Sequence, residues 1–328
     1  MFLLDANNIT DLQSYLQKQQ WLATSEEVVS ATKPGEGNMN YVLRITTTQQ
    51  SFIIKQARPY VEKYPQIAAP IERVLVEAAF YKAIQDDKIL NNYMPKLMGV
   101  DALNSIIILE DLGQSNDCSY LYTTQEKLQT NEVEHLVIFL NKLHQQLATS
   151  NLLLQNNTMR QLNYQHIFLL PFVEDNGFNL DIVQPGLQAL SMPYKTDTAL
   201  RDLIKNIGGK YLADGAVLLH GDFYPGSWLR TNNGIKIIDP EFCFYGAAEF
   251  DVAVMMAHCM ISFQTDEVLQ IIRTNYQKPQ GFNELLLNQF TGIEIMRRLI
   301  GLAQLPLQLS LQEKKYLLQK GYDLITNK

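Results

Sequence analysis

Apolar residues recur along this chain at two periods, and the change of period divides it. Short β-rich runs dominate up to about residue 115, and helical spacing dominates beyond it. Residues 10–20 place Leu12, Tyr15 and Leu16 on one helical face. YVLRIT (41–46) and SFIIKQA (51–57), joined by polar residues, predict an antiparallel hairpin. Pro70 suits a first helical turn, and Ile71, Val74, Leu75 and Ala78 follow at helical spacing, which predicts a helix over 70–84. SIIIL (105–109) predicts a buried strand. Val133, Leu136, Val137, Leu140, Leu143 and Leu147 predict an amphipathic helix over 132–147. AVLL (216–219) and IKII (235–238) predict two short strands around a polar loop, and 249–260 and 285–304 predict helices. The pattern is α+β, with a small strand-rich lobe (residues 1–112) and a larger helical lobe (residues 113–328). A cleft between two such lobes is a favoured place for a ligand.

Composition narrows the class. In 328 residues, 46% are hydrophobic, enough for a substantial core, which excludes wholesale disorder. With 27 basic and 34 acidic side chains the net charge is −7, which argues against a nucleic-acid binder with a basic face. Cys118, Cys243 and Cys259 are too few and scattered for a disulfide framework, so a reducing compartment is the simpler expectation. No run approaches the length of a membrane span, and MFLLDANN lacks the basic start and apolar stretch of a secretory signal. The expectation is a cytoplasmic protein with no membrane partner.

The candidate chemistry lies in LLHGDFYPGSWLR (218–230) and IKIIDPEF (235–242). Each strand runs into acids: Asp222 after the first, Asp239 and Glu241 after the second. Pairing of the two strands would bring these acids together. Clustered carboxylates need a cation or a proton, and Mg²⁺ is usually held by one or two carboxylates plus substrate phosphates. Taken singly, HGD and DPE are equally well turns with solvated acids; in this order, each after an apolar strand, they are more specific. GEGNMNYVLRI (35–45) supplies Gly35 and Gly37, which let backbone approach a phosphate, and the amides of Asn38 and Asn40. Lys55 follows on the next strand and Glu77 on the next helix, a pairing that orients a lysine toward phosphates in protein kinases. Glu110, Asp111 and Leu112 follow the SIIIL strand as a simple turn or as a connector whose backbone meets an adenine edge.

In that order the elements resemble the aminoglycoside phosphotransferase and choline kinase superfamily, with its protein-kinase-like bilobal fold, and within it the 5-methylthioribose kinases. The matching segments are Gly35–Val42, Lys55–Tyr60, His220–Ser227, Asp239–Gly246 and Arg297–Ala303, across residues 30 to 305. The resemblance implies an ATP-dependent small-molecule kinase with ATP and Mg²⁺ as cofactors, a sugar-like acceptor, possible 5-methylthioribose, and a homodimer. It implies Asp222 as the base that orients the acceptor hydroxyl, and Asp239, Glu241 and Ser227 as metal ligands. Asn40 and Lys55 become nucleotide contacts, and Arg297 and Arg298 contacts to the sugar. Adjacent on a helix, the two arginines stand about 100° apart, so one should face the cleft while the other forms an ion pair.

The chain departs from the family pattern at Phe223-Tyr224-Pro225 and at Gln304, and it is shorter than typical members between the DPEF segment and the arginine pair and after that pair. These departures leave other acceptors open: an aminoglycoside, choline, homoserine or a fructosamine. A non-catalytic nucleotide-binding module is the reading from another class. Among the remaining residues, His220 reads as a structural member of its loop, His144 and His258 as packed residues, and Asp251 as a helix-start acid or, on the resemblance, a brace for the catalytic loop. The YVEKYP segment reads as a flap.

Overall fold

The computed structural model describes residues 2–35, 39–124, 126–149 and 151–327. A helix, α1 (Ile9–Lys18), precedes β1 (Val28–Thr32), β2 (Tyr41–Thr47) and β3 (Ser51–Gln56). A two-stranded hairpin follows, β4 (Tyr60–Val61) with β5 (Tyr64–Ala68), in the segment expected to be a flap. Then come α2 (Arg73–Ile84), α3 (Lys88–Tyr93), β6 (Leu97–Asp101) and β7 (Ile106–Glu110). Strands outside that hairpin form one five-stranded antiparallel sheet in the order β1-β2-β3-β7-β6.

Side-chain alternation gives this sheet two faces. Leu43, Ile45, Phe52, Ile54, Ile106 and Ile108 pack under Leu12 and Leu16 of α1. The intervening residues Val42, Arg44, Ile53, Lys55 and Leu109 face the opposite way and line a cavity. Lys55 lies opposite Val42 on β2 and Ile107 on β7, so its place in the cavity is set by register.

The rest of the chain is mostly helical. It contains β8 (Asn116–Asp117), α4 (Thr130–Leu143), α5 (Asn157–Tyr164), α6 (Leu187–Lys195) and α7 (Thr198–Leu212). Four short strands follow: β9 (Val217–Leu219), β10 (Trp228–Thr231), β11 (Gly234–Ile237) and β12 (Phe244–Gly246). The chain closes with α8 (Glu249–Ile261), α9 (Asp266–Asn275), α10 (Glu284–Ile300) and α11 (Leu311–Thr326). Every residue of α8 is buried, and α10 packs beside it and against α11. Gly292 of α10 and Gly321 of α11 allow that approach, since a Cβ at Gly292 would lie 2.4 Å from the Gly321 carbonyl oxygen.

Four expectations need correction. The helix expected from Pro70 begins at Arg73, and the Pro70 carbonyl accepts from the Arg73 amide instead. The helix expected to reach Leu147 ends at Leu143; Leu147 is exposed and bridges Val217. The helix expected to reach 304 ends at Ile300, and the Gln304 side chain donates to the Gly301 carbonyl just past its end. Finally, the two acid-bearing strands are not paired. β9 pairs with β12, and β11 with β10. The acids converge because β9, which leads to Asp222, pairs with β12, which follows the DPE turn, and His220 binds the Ile238 carbonyl just before Asp239. Among the described residues no helix is long and apolar enough to cross a membrane.

Candidate active site

β9 ends at Leu219 and the chain turns sharply through His220-Gly221-Asp222. Gly221 has φ of +83°, and a Cβ there would stand 2.1 Å from the Phe242 carbonyl oxygen, so the turn admits only glycine. Asp251, in the first turn of α8, accepts from the His220 amide at 2.7 Å and the Gly221 amide at 2.9 Å. It is thus both a helix-start acid and the brace of this loop. His144 approaches the same carboxylate at 3.3 Å and binds the Tyr276 hydroxyl at 2.6 Å. His220 Nε2 meets the Ile238 carbonyl at 2.9 Å, which ties the loop to the segment carrying Asp239. Burial pulls His220 below the usual histidine range, against the pull of Asp251.

Asp222, Ser227, Asp239, Glu241, Lys55, Gly35, Glu110, Asp111 and Leu112 all line one cavity of about 580 Å³. Lys55 Nζ donates to Glu77 Oε1 at 2.8 Å and to Asp239 Oδ1. Glu77 is fully buried behind the lysine and does not reach the cavity. Burial pulls the Lys55 ammonium down, but Asp239 and Glu77 together outweigh it and hold it well above the ordinary lysine range. Asp239 sits at φ +62° in the left-handed region, a conformation costly for a non-glycine residue and frequent at functional sites. Its carboxylate stays 42% exposed while Glu241 is almost buried. Burial pushes Glu241 up to about 8 despite the nearby Arg73. An acid held at that value is short of positive charge.

Asn40 has a different setting from the one its sequence position suggests. Its side chain is buried between Arg73, which donates to its Oδ1 at 2.8 Å, and Glu241, to which its Nδ2 donates at 3.0 Å. The side chains of Glu110 and Asp111 are also engaged. Glu110 accepts from the Lys96 amide, and Asp111 pairs with Arg44 at 2.9 Å. Ser227 Oγ donates to the Asp222 carbonyl at 2.9 Å. Gly37 and Asn38 lie outside the described residues.

Asp222 meets Arg298 at 3.4 Å. Burial raises Asp222 above the ordinary carboxylate range, opposed by Arg298 and Arg297. The two arginines did not divide as expected: both form ion pairs with the same acid, Glu294. Arg297 Nη2 donates to it at 2.9 Å and Arg298 Nε at 2.8 Å. Only Arg298 extends on to Asp222, and neither guanidinium lines the cavity. His258 Nε2 contacts the same Glu294 at 2.9 Å, and its Nδ1 meets the Tyr122 hydroxyl at 2.6 Å. Burial lowers His258 to about 4. Burial works against the Glu294 carboxylate too, but the two guanidiniums hold it well below the usual range.

The altered loop splits in role. Phe223 is a core residue, fully buried and stacked on Phe139 with ring centroids 5.6 Å apart. Tyr224 lines the cavity with its ring under the Arg298 guanidinium. Pro225 is buried in the turn that leads to Ser227. Sequence reading missed Arg73 and Glu294, and it marked Tyr224 only as a departure from the family pattern. A glutamate one turn before two arginines is a recognisable i, i+3/i+4 signal, whereas nothing local marks Arg73.

Among the described residues no three His, Cys, Asp or Glu side chains are placed to hold a metal by themselves. A buried Glu241 short of positive charge beside an accessible Asp239 fits a cation completed by substrate phosphates, the usual state of Mg²⁺.

The chain is similar to several known proteins. A methylthioribose kinase of Geobacillus sp. (strain WCH70) is 27% identical over 356 residues, covering 89% of this chain and 84% of that protein. One from Exiguobacterium sibiricum is 26% identical, covering 84% and 81%. The fold is similar to a choline kinase from Streptococcus pneumoniae, with a TM-score of 0.57, 12% identity and coverage of 97% and 99%. It is similar also to a spectinomycin phosphotransferase solved with ADP and spectinomycin, at 0.56, 12%, 98% and 99%. The sequence model of the phosphotransferase enzyme family matches residues 30–285. With that match spanning most of its length and its kinase-like α+β fold, the chain belongs to the phosphotransferase enzyme family and is an ATP-dependent kinase acting on a hydroxyl.

Proposed function

We propose that the acceptor is a neutral, sugar-like molecule, with 5-methylthioribose the first candidate. The observation that carries this reading is the charge balance around Asp222. Arg297 and Arg298 face Glu294 and Asp222, two cations against two anions, with His258 neutral at pH 7. A polycation would find the Asp222 and Glu294 carboxylates already engaged by guanidiniums, and an anion both guanidiniums already engaged by those carboxylates; either would add an uncompensated charge to a partly desolvated site. The names of the relatives support methylthioribose in particular.

In this reading residues 1–112 hold the nucleotide, with Gly35 by the phosphates and the backbone of Glu110–Leu112 beside the adenine. Asp239 and Glu241, with Ser227, hold Mg²⁺, which when bound neutralises phosphate charge. Lys55 binds and orients the phosphates, kept in place by Glu77. Asp222 orients the acceptor hydroxyl and takes its proton late in transfer. Phosphoryl transfer asks little covalent chemistry of the protein, so positioning and charge carry the rate.

The test is kcat/KM for 5-methylthioribose, choline and a kanamycin-type aminoglycoside under one set of conditions. The sugar should be preferred. If choline or the aminoglycoside is the best acceptor, the charge-balance reading is wrong.

A further inference from the structure

Helix α2 reaches the catalytic acids twice, one turn apart. Glu77 holds Lys55, and Lys55 holds Asp239. Four residues earlier, Arg73 holds Asn40, and Asn40 holds Glu241. Residues at i and i+4 share one helix face, so α2 presents both to the same side. The first relay is the lysine–glutamate arrangement of kinases. The second is not part of that description.

Arg73 is fully buried and all five of its N–H donors are engaged. Nε donates to Asn40 Oδ1 at 2.8 Å, Nη1 to the carbonyls of Arg58 and Pro70 at 2.8 and 2.7 Å, and Nη2 to those of Met39 and Tyr60 at 2.8 and 3.2 Å. Glu241 Oε2 lies 3.6 Å from Nε. The guanidinium therefore joins the residues leading into β2, the start of the β4–β5 hairpin, the start of α2 and one of the two DPE acids. The Met39 carbonyl also accepts from the Glu62 amide of the hairpin, and Met39 itself lines the cavity. A lysine offers three donors on a flexible stem and cannot reproduce this planar fork.

We propose that Arg73 is a positioning residue for the nucleotide, setting the end of the glycine-rich segment and the Glu241 carboxylate through the Arg73–Asn40–Glu241 relay. The assignment rests on the kinase reading above. It acts on the nucleotide end alone, because the Asp222–Arg298–Glu294 group has no contact with Arg73 among these bonds.

The experiment compares the wild type, Arg73→Lys and Asn40→Ala. It measures ADP affinity by calorimetry with and without Mg²⁺, KM for ATP and for acceptor separately, and amide hydrogen exchange over residues 39–42. Loss of a buried orienting partner typically weakens a site about 10–100-fold. ADP affinity should fall by that amount in folded Arg73→Lys, KM for ATP should rise with it, KM for acceptor should stay near wild type, and exchange over 39–42 should quicken. Asn40→Ala removes only the middle link and leaves four of the Arg73 bonds, so it gives the same pattern if Arg73→Lys does not fold. Wild-type ADP affinity in the folded variants, or an equal rise in both KM values, overturns the assignment while leaving the kinase reading intact. A wild-type protein that binds no ADP takes both down.

Discussion

The two ends of the cleft solve opposite electrostatic problems. At the proposed nucleotide end Glu241 is buried with too little positive charge around it and is pushed up to about 8, and Asp239 leaves almost half its carboxylate accessible. In the proposed reading a cation, held together with the substrate phosphates, supplies the missing positive charge. At the acceptor end Glu294 is saturated by two guanidiniums and a histidine, and Arg298 spends its remaining reach on Asp222. That end is complete on its own, with fixed dipoles but no net charge to offer. The proposed transfer of a highly charged group to a neutral hydroxyl would use this asymmetry, recruiting charge at the proposed phosphate end and excluding it at the proposed acceptor end.

The contrast can be broken at either end. The largest effect should come from Asp239→Asn, which removes a charge that both the cation and Lys55 use. Turnover should fall below detection while the circular dichroism spectrum is kept, and near wild-type activity at ordinary Mg²⁺ would sink the metal assignment. Asp222→Ala should lower kcat by roughly 10²–10⁴-fold with ADP affinity retained. A loss of affinity with kcat unchanged would reverse the roles of the two ends.

Arg298→Met sharpens the comparison further. It should break the buried pair with Glu294, costing about 3–5 kcal/mol of stability, remove the guanidinium that touches Asp222, and raise KM for acceptor more than KM for ATP. Arg297→Met should disturb the acceptor less, since its bonds stop at Glu294. Equal acceptor defects in the two variants would mean that both arginines reach the ligand.

The smallest effect expected is in pH dependence. His258 is held at about 4 against an ordinary value near 6.5. Because the folded value is the lower one, protonation favours the unfolded chain. The histidine's contribution is therefore complete above pH 6.5 and is lost as pH falls toward 4, by an amount on the order of 3 kcal/mol. Denaturant titrations of wild type and His258→Asn across that window should show a shallower pH slope in the variant. Identical slopes would place His258 outside the acid response.

Much of the fold was legible because it rests on periodicity. The β2–β3 hairpin and α4 follow from apolar spacing, since burial of one face is a local property of strand or helix, and α8 and the strand carrying Leu109 follow from runs that are largely apolar. The ends were less legible. Leu147 continues a helical pattern, yet its segment turns away and bridges Val217, so tertiary pairing displaced the periodic continuation.

The sequence alone determined which chemistry the chain carries. Gly221 next to Asp222, the DPE acids after a strand and a lysine inside an apolar strand are short-range features, each legible within a few residues. What only the tertiary structure decided is who neutralises whom. Asn40 looks from sequence like a nucleotide amide, but its two ends are taken by Arg73 and Glu241, 33 and 201 residues away. Arg297 and Arg298 look like one cleft contact and one ion pair, but one buried acid engages both. Phe223 looks like a pocket change, but it fills the core against Phe139. The physical reason is common to all three. Charge compensation and desolvation act through space over a few ångströms, and a chain's local pattern carries no record of which distant residue folding will bring within that range.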